Sequence, residues 1–588
     1  MCGIIGYAGT RNASKIGVEC LKKLEYRGYD SWGCAVNSNK KIHVFKQVGK
    51  IGMFSEDLKL PDARIGILHT RWATHGGVTQ INAHPHISQN KKIAVVHNGI
   101  IENYQVIRDE LKKKGYKFVS QTDTEVVPHL IEDNMNQGLS FQEAFRKAIL
   151  SLEGRYALVA MHSDEEILLA ARRGSPLVLG IGKDEMFISS DIPAFLNYTN
   201  KVILLDDNEL AIVSKDVKIL DILSNKVKAK NITKIEWTVE QSDKNGFDHF
   251  MLKEILEQKY TLSTAIQPNI KNIEEVALMI KKARGTFFVG CGTAGKVCLT
   301  GTYLFSRIAN MHVNFSIGSE FPEYHHFVKP ETLLIAVSQS GETADTLEAI
   351  EAAQSKKAKV VSIVNAVGST MTRVSDKHIL VNAGPEKCVA STKVTTSQIA
   401  ILTQLAYSIA GKTKEGQFLL KRTSEEVSNM LNPEFLKKIK ETAFKLKNHE
   451  SVYIIGRGLN YPVALEAAIK LQEVPYIHAE GFAGGELKHG PLALISEGVP
   501  VIVIVANDET KKDILSNAME VKARGGLILG ISPQNDEVFD LHIQVPDVGN
   551  ASPIVNLIPI QLLSYYISIA KGQNPDYLRN LAKSVTVK

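Results

Sequence analysis

The second residue is the first candidate for chemistry. The chain opens "MCGIIGYAG", a thiol at the head of an alternating apolar run that reads as a strand. With Met1 removed, Cys2 carries a nucleophilic sulfur and a free α-amine, whose ordinary pKa is about 7.7–8.0. Such an amine is a base near neutral pH, so one residue supplies both nucleophile and base. A cysteine by itself is more often inert. Three fragments give this one company: "HTRWATHGG" (69–77), "HNG" (97–99) and "QTDTE" (121–125) set Arg, His, Trp, Asn and Asp beside glycines. Asn98 and the amide of Gly99 have the donors for an oxyanion hole. Arg71 and Asp123 suit the carboxylate and ammonium of an amino acid.

A second chemistry is written in "SQSGETADTLEAIEAAQSKK". A buried strand runs into Ser338, Gln339, Ser340, Gly341, Glu342 and Thr343, and then into a helix. Outward backbone N–H groups, the positive end of the helix dipole and hydroxyl donors favour a phosphate there. A helix cap needs one hydroxyl, whereas this loop has three and an amide. "GCGTAGK" is a further glycine-rich turn, but it matches no nucleotide fingerprint. "AIKLQEVPYIHAEGFAGGELKHGP" holds Lys470, Glu473, Glu480 and His489. Lys470 and Glu473 share a helix face and read either as a surface ion pair or as part of a site. In a site, Glu473 is an acid–base group and His489 a proton shuttle. Near the end, "YLRNLAKSVTVK" places Lys583 among Leu581, Ala582, Val585 and Val587. A terminal lysine is usually solvated; a desolvated one has a lowered pKa and forms Schiff bases.

Positioning these groups takes several domains. The chain of 588 residues is too long for one hydrophobic core, so two to four domains are expected. With 44% hydrophobic and 22% charged residues, the composition is that of a globular protein. A net charge of +6 over this length gives no reason to expect nucleic-acid or membrane binding. Six cysteines without a C-x-x-C pair argue against a disulfide framework or a zinc site and suit a reducing compartment. No apolar run reaches the roughly 20 residues that span a bilayer, and no signal-peptide pattern opens the chain. A soluble cytoplasmic protein is expected.

The first 230 or so residues are rich in strand-like segments such as "KIAVVHNGII", "RYALVAMH", "EILLAA" and "MFISSD". Helical patterns appear at "ENYQVIRDELKKKG" and "SFQEAFRKAILSL", which together predict a layered α/β domain. The pattern weakens near 228–245, and a linker is placed at 231–250. Beyond it, buried strands alternate with amphipathic helices, as in parallel doubly wound sheets. This half repeats itself. The strand ends at Gly290, Val337 and Ile363 recur at Gly456, Val505 and Ile531, at offsets of 166 to 168 residues. Two copies of one α/β domain follow, 251–425 and 426–588. The second copy carries "VANDET" where the first has its serine loop, so one phosphate site per chain is expected.

Taken together, the motifs resemble the isomerizing glutamine–fructose-6-phosphate aminotransferase family, the glucosamine-6-phosphate synthases. "MCGIIGY", "LEYRGYDS", "HTRWATHG", "AHPH", "VVHNGIIENY" and "TDTE" are similar to its class II glutaminase half. "SQSGETADT", "ASTK", "HAEGFAGGELKHGPLAL" and "NLAKSVTV" are similar to its paired sugar-isomerase (SIS) domains. The resemblance runs the whole chain. It implies an α/β multidomain protein: an N-terminal-nucleophile αββα domain followed by two flavodoxin-like SIS domains. It implies glutamine and fructose 6-phosphate as substrates, a homodimer, and no cofactor or metal.

Residue by residue, the resemblance makes Cys2 the nucleophile on the glutamine amide and Asn98 and Gly99 the oxyanion hole. Arg27, Arg71, Thr74, His75 and Asp123 match positions around glutamine, and Trp72 matches the gate of an internal ammonia channel. The sugar phosphate falls to Ser338, Gln339, Ser340 and Thr343 with Thr293 beside them; Val389 and Ala582 match backbone contacts to the sugar. Lys583 matches the imine-forming lysine, His489 the ring-opening histidine supplied by a partner subunit, and Glu473 the base between C1 and C2, with Lys470 near it. One departure stands out. The family commonly has Cys-Gly-Thr-Ser where this chain reads Cys291-Gly292-Thr293-Ala294, one hydroxyl fewer for the phosphate.

Competing readings lack their own motifs. A phosphoribosyl amidotransferase needs paired acids with a Thr/Gly phosphate loop; Asp206 and Asp207 have no such loop. An asparagine synthetase needs S-G-G-x-D-S, which is absent. A non-catalytic sugar-phosphate-binding regulator has no use for Cys2, Glu473 and Lys583 together.

Overall fold

The opening alternation folds as a strand, Gly3–Gly9, in a computed structural model that describes residues 2–53, 59–235 and 243–585. Met1 and residues 236–242 of the expected linker lie outside the described residues. The chain divides into two compact units, residues 1–242 with 582–588, and residues 243–581.

In the first unit, Gly3–Gly9 is hydrogen-bonded on both edges, antiparallel to Ile65–Arg71 and to Glu185–Ser189, within an eight-stranded sheet. A six-stranded sheet built around Ile93–Ile101 and Gly154–His162 faces it. The strand Ile93–Ile101 shows why its sequence reads as a continuous apolar run. Ala94 and Val96 join the core between the sheets, while Ile93 and Val95 join the core under the helices. Helices Val126–Asn136 and Phe141–Leu150 cover that second sheet, and Ala13–Lys22 covers the first. Ser140 caps Phe141–Leu150 by accepting from the Glu143 amide, and Asn12 caps Ala13–Lys22 through Lys15. The result is the αββα layering.

The second unit contains the repeat. Its first sheet runs, edge to edge, Asn314–Ile317, Gly285–Gly290, Thr332–Ser338, Lys359–Val364, Lys377–Leu380. Its second runs His478–Ala483, Ser451–Gly456, Pro500–Ile504, Leu527–Ser532, Leu541–Gln544. All pairings are parallel, and both sheets have the flavodoxin-like order in which the first strand sits second from the edge. Even the turn after the first strand repeats: Gly292 has φ +55° and Gly458 φ +54°. In each copy a long helix follows the fifth strand, Lys393–Ile409 and Ser552–Ala570, and the two share one continuous apolar core.

The expectation about membrane spans needs amendment. The segment Gly549–Ala570 is long and apolar enough to cross a bilayer by length and composition, but 83% of its most apolar 18-residue stretch is buried inside the unit. Its apolar faces are explained by the protein core that surrounds it. Leu563, fully buried in that helix, tests this: Leu563→Ala is expected to destabilise the unit by about 2–5 kcal/mol, seen as a lower denaturant midpoint with an unchanged slope.

Candidate active site

Pairing on both edges of Gly3–Gly9 delivers Cys2 to the end of Ile65–Arg71, where that strand turns into the "WATHGG" loop. The Trp72 amide donates to Cys2 Sγ at 3.2 Å. Asn98 Nδ2 donates to the Cys2 carbonyl at 2.9 Å, so these two residues, far apart in sequence, are neighbours. Gly99 has φ +113°, and a Cβ there would sit 2.0 Å from Arg155 O. Only glycine fits this twist, which sets the amide after Asn98. Burial pushes the Cys2 thiol above its ordinary value, against the Trp72 amide and the Arg71 guanidinium. The thiol is therefore protonated at neutral pH and needs a base to attack.

The charged groups are organised rather than loose. Arg71 donates to the carbonyls of Gly76 at 3.0 Å and Gly77 at 3.1 Å, and to His75 O, so it moulds the loop that carries Thr74 and His75. Thr74 is exposed and His75 half-buried, its ring edge-on to Tyr104. Asp123 is buried and accepts from the Ile101 amide at 2.8 Å, two residues beyond Gly99. Trp72 is half-buried against Tyr29. Arg27 is buried and pairs with Asp191 at 2.6 Å. Asp191 and Asp30, whose carboxylate takes the Ala73 amide at 2.8 Å, were not singled out in the sequence. Asp30 lies inside the quoted "LEYRGYDS", but nothing in that string says which backbone it holds.

In the second unit, the hydroxyl loop follows Thr332–Ser338 and "CGTA" follows Gly285–Gly290. These two strands are adjacent, and the chain leaves them in opposite directions along the sheet. That is the switch point at which doubly wound sheets open a crevice for ligands. Ser338 Oγ and Thr343 Oγ1 lie 3.1 Å apart, and Ser338 Oγ accepts from the Gly341 amide. Glu342 braces the loop by taking the Thr370 amide and hydroxyl, each at 2.7 Å. Gln339 O takes the Asn365 and Ala366 amides, while Ser340 is half-buried. The corresponding loop of the second copy is acidic: Asp508 and Glu509 hold Arg307 at 2.9 and 2.6 Å. Val389 is half-buried on a segment tied down by two carboxylates, Glu254 on the Cys388 amide and Glu386 on the Thr392 and Val394 amides.

Lys470 is fully buried, so a solvated surface pair does not describe it. Its Nζ lies 2.7 Å from Glu473 Oε2 and 3.4 Å from Glu466 Oε1. Burial opposes its charge, but the two carboxylates outweigh burial and hold it protonated. Glu466 also takes the Thr293 hydroxyl at 3.0 Å, which joins the first copy's glycine turn to the second copy's acid–base helix. Its i, i+4 spacing from Lys470 was the signal the sequence offered. His489 is exposed at the end of the turn Gly484–His489. Ala582 and Lys583 are half-buried and belong to the first unit, while the other residues matched to the sugar belong to the second. Among the described residues no group of three His, Cys, Asp or Glu is placed to hold a metal ion.

Comparison with known proteins agrees with this architecture. The glutamine amidotransferase domain model matches residues 69–197, and the SIS domain model matches 279–408 and 445–571. The isomerizing glutamine–fructose-6-phosphate aminotransferase of Pyrococcus horikoshii is 48% identical over 602 residues, with 100% of both chains covered. That of Thermococcus kodakarensis is 45% identical over 611 residues, again covering 100% of both. The solved C-terminal domain of glucosamine-fructose-6-phosphate aminotransferase from Francisella tularensis is 34% identical, with a TM-score of 0.51 over 56% of this chain and 98% of its own.

The Glu466 network has a pH signature. Burial, with the charge of Glu473, raises its carboxyl to about 7 despite Lys470. A carboxyl raised on folding binds its proton more tightly in the native state. Its contribution is complete below about 4.5 and is lost as pH rises toward about 7. Glu466→Gln is expected to flatten the fall in thermal midpoint across that window; an unchanged slope contradicts the assignment.

Proposed function

The chain belongs to the isomerizing glutamine–fructose-6-phosphate aminotransferase family, and from that premise we propose that it converts glutamine and fructose 6-phosphate to glutamate and glucosamine 6-phosphate. The observation that carries this reading is Cys2 held beside Asn98 in a chain that also sets a hydroxyl loop at a parallel-sheet switch point. A non-catalytic regulator has no need of a half-buried cysteine set beside an amide donor.

In the glutaminase step, the α-amine of Cys2 takes the thiol proton and Sγ bonds to the side-chain amide carbon of glutamine. Asn98 Nδ2 and the Gly99 amide stabilise the resulting oxyanion. The C–N bond breaks as the ammonium returns its proton to the leaving nitrogen, and water then hydrolyses the thioester to glutamate. Asp123 and the loop moulded by Arg71, with Thr74 and His75, hold the amino-acid end; Arg27 supports the site through Asp191. Ammonia is mostly ammonium in water at neutral pH and then a poor nucleophile. Internal transfer, gated by Trp72, keeps it neutral and close to its acceptor.

In the sugar step, Ser338, Gln339, Ser340 and Thr343 receive the phosphate, with the Thr293 backbone at a helix N-terminus beside them and the backbones of Val389 and Ala582 against the sugar. The acidic second-copy loop repels a phosphate, which supports one site per chain. His489 opens the sugar ring, and its exposure fits donation to a partner copy in a homodimer. Lys583 forms an imine with the C2 ketone, ammonia displaces it, and Glu473 carries a proton from C1 to C2. Lys470, 2.7 Å away, pairs with Glu473 and holds its carboxylate in place. Neither step calls for a redox cofactor or a metal. A cytoplasmic location completes the reading.

Cys2→Ala is expected to abolish glutamine-dependent glucosamine 6-phosphate formation, and Lys583→Ala to abolish synthesis while glutamine hydrolysis stays measurable. A coupled assay on the full chain checks both, and full synthesis by either variant contradicts the mechanism. The missing hydroxyl at Ala294 weakens phosphate binding by up to about 1.5–3 kcal/mol, the worth of a charge-assisted hydrogen bond. Ala294→Ser should therefore lower the KM for fructose 6-phosphate; an unchanged KM removes that explanation.

A further inference from the structure

An asparagine side chain presents an oxygen on one branch and an NH2 on the other, nearly equal in size. Asn98 helps the reaction only with its NH2 toward the substrate, so something on the far side must choose. His69 lies in the middle of Ile65–Arg71, with no solvent exposure. Its Nε2 is 3.1 Å from Asn98 Oδ1 and 2.9 Å from His97 O. Both neighbours are acceptors, so Nε2 carries the hydrogen and donates to both. We propose that His69 is the positioning residue of the oxyanion hole, its Nε2–H fixing the Asn98 carboxamide so that Nδ2 faces Cys2. This rests on Asn98 being the oxyanion donor.

The alternative orientation is costly on both sides. A reversed amide sets NH2 against the His69 N–H and sets Oδ1 against the Cys2 carbonyl, where Nδ2 now lies at 2.9 Å. Two donors and two acceptors then face each other in a buried place. His69 is suited to a fixed role. Burial outweighs the hydrogen bonds to His97 O and Asn98 Oδ1 and depresses its pKa to about 3, so it stays neutral with one ring hydrogen. Its Nδ1 has no hydrogen-bond partner among the described residues, and its ring packs 4.1 Å from that of His84. The single N–H is thus committed to Asn98 and the backbone beside it. A side chain of the same bulk without that N–H would fill the space and leave the amide free to turn.

His69→Leu removes the donor, and His69→Gln restores an N–H near the Nε2 position. Glutamate γ-semialdehyde is the probe: the Cys2 thiol adds to its carbonyl carbon, the thiol proton passes to the carbonyl oxygen, and that oxygen occupies the oxyanion position. Glutamate forms no such adduct. For His69→Leu, glutaminase kcat is expected to fall about 10- to 100-fold, less than the roughly 100- to 1,000-fold of losing the donor itself in Asn98→Ala. KM for glutamine and the affinity for glutamate stay near the unmutated values, semialdehyde affinity falls with kcat, and His69→Gln recovers most of both. If His69→Leu does not fold, His69→Asn, whose shorter amide withdraws the N–H, takes its place. The proposal is overturned if kcat is unchanged while Asn98→Ala is impaired. It is equally overturned if glutamate and semialdehyde affinities fall together in the Leu and Gln variants. A fully active Asn98→Ala would instead overturn the oxyanion assignment on which the proposal rests.

Discussion

The strand Gly3–Gly9 is hydrogen-bonded along both edges, and the first unit's chemistry depends on that pairing. A strand paired once can fray or slip. One paired twice, with buried residues on both faces, has a single register, because a shift of one residue would turn every side chain to the other face. Cys2 therefore arrives at one place, beside the Trp72 amide and Asn98. The adjoining strand Ile65–Arg71 carries Arg71 and His69, so nucleophile, loop-former and amide support are neighbours by register. Burial that fixes the sulfur also raises its pKa, and a base becomes a requirement of the site.

The second unit makes a site from a duplication by letting the copies diverge where the fold is reactive. Both sheets keep the same strand order and the same left-handed glycine after the first strand. At the switch point, however, one copy has hydroxyls and the other carboxylates paired to Arg307. The helix Tyr461–Glu473 has taken on a different task. It buries a lysine between two carboxylates, one of which reaches back to the first copy's glycine turn through Thr293. A buried cation in such company stays charged because its attraction to the two carboxylates exceeds the penalty of desolvating it. The copies are thus coupled by electrostatics as well as by their shared core.

Much of this was legible from residue order. The strands at Ile93–Ile101 and Gly154–His162, the helices at Tyr104–Lys113 and Phe141–Leu150, and the repeat offsets all follow from apolar periodicity and turn residues. The candidate residues Cys2, Asn98, Ser338, Thr343, Lys470 and Glu473 were also visible, as types at telling spacings. Asp30, Asp191, His69 and Glu466 were not. Asp30, Asp191 and His69 act through partners distant in sequence, which a lone acid or histidine does not mark, and Glu466 had only its i, i+4 spacing from Lys470. The helix Ser552–Ala570 shows the converse limit, since its composition fits a membrane as well as a core, and only the surrounding side chains distinguish the two.

Sequence alone determined the chemical inventory, the layered and doubly wound classes, and the duplication, because these depend on local periodicity and on residue types at short separations. Tertiary structure decided which groups meet. It set Asn98 on Cys2, Thr293 on Glu466 and Arg71 on its own loop, and it turned Lys470 from a plausible surface pair into a buried ion. Those outcomes depend on strand register and helix packing between distant segments, and on the desolvation that accompanies them. A linear string carries neither the distances nor the dielectric.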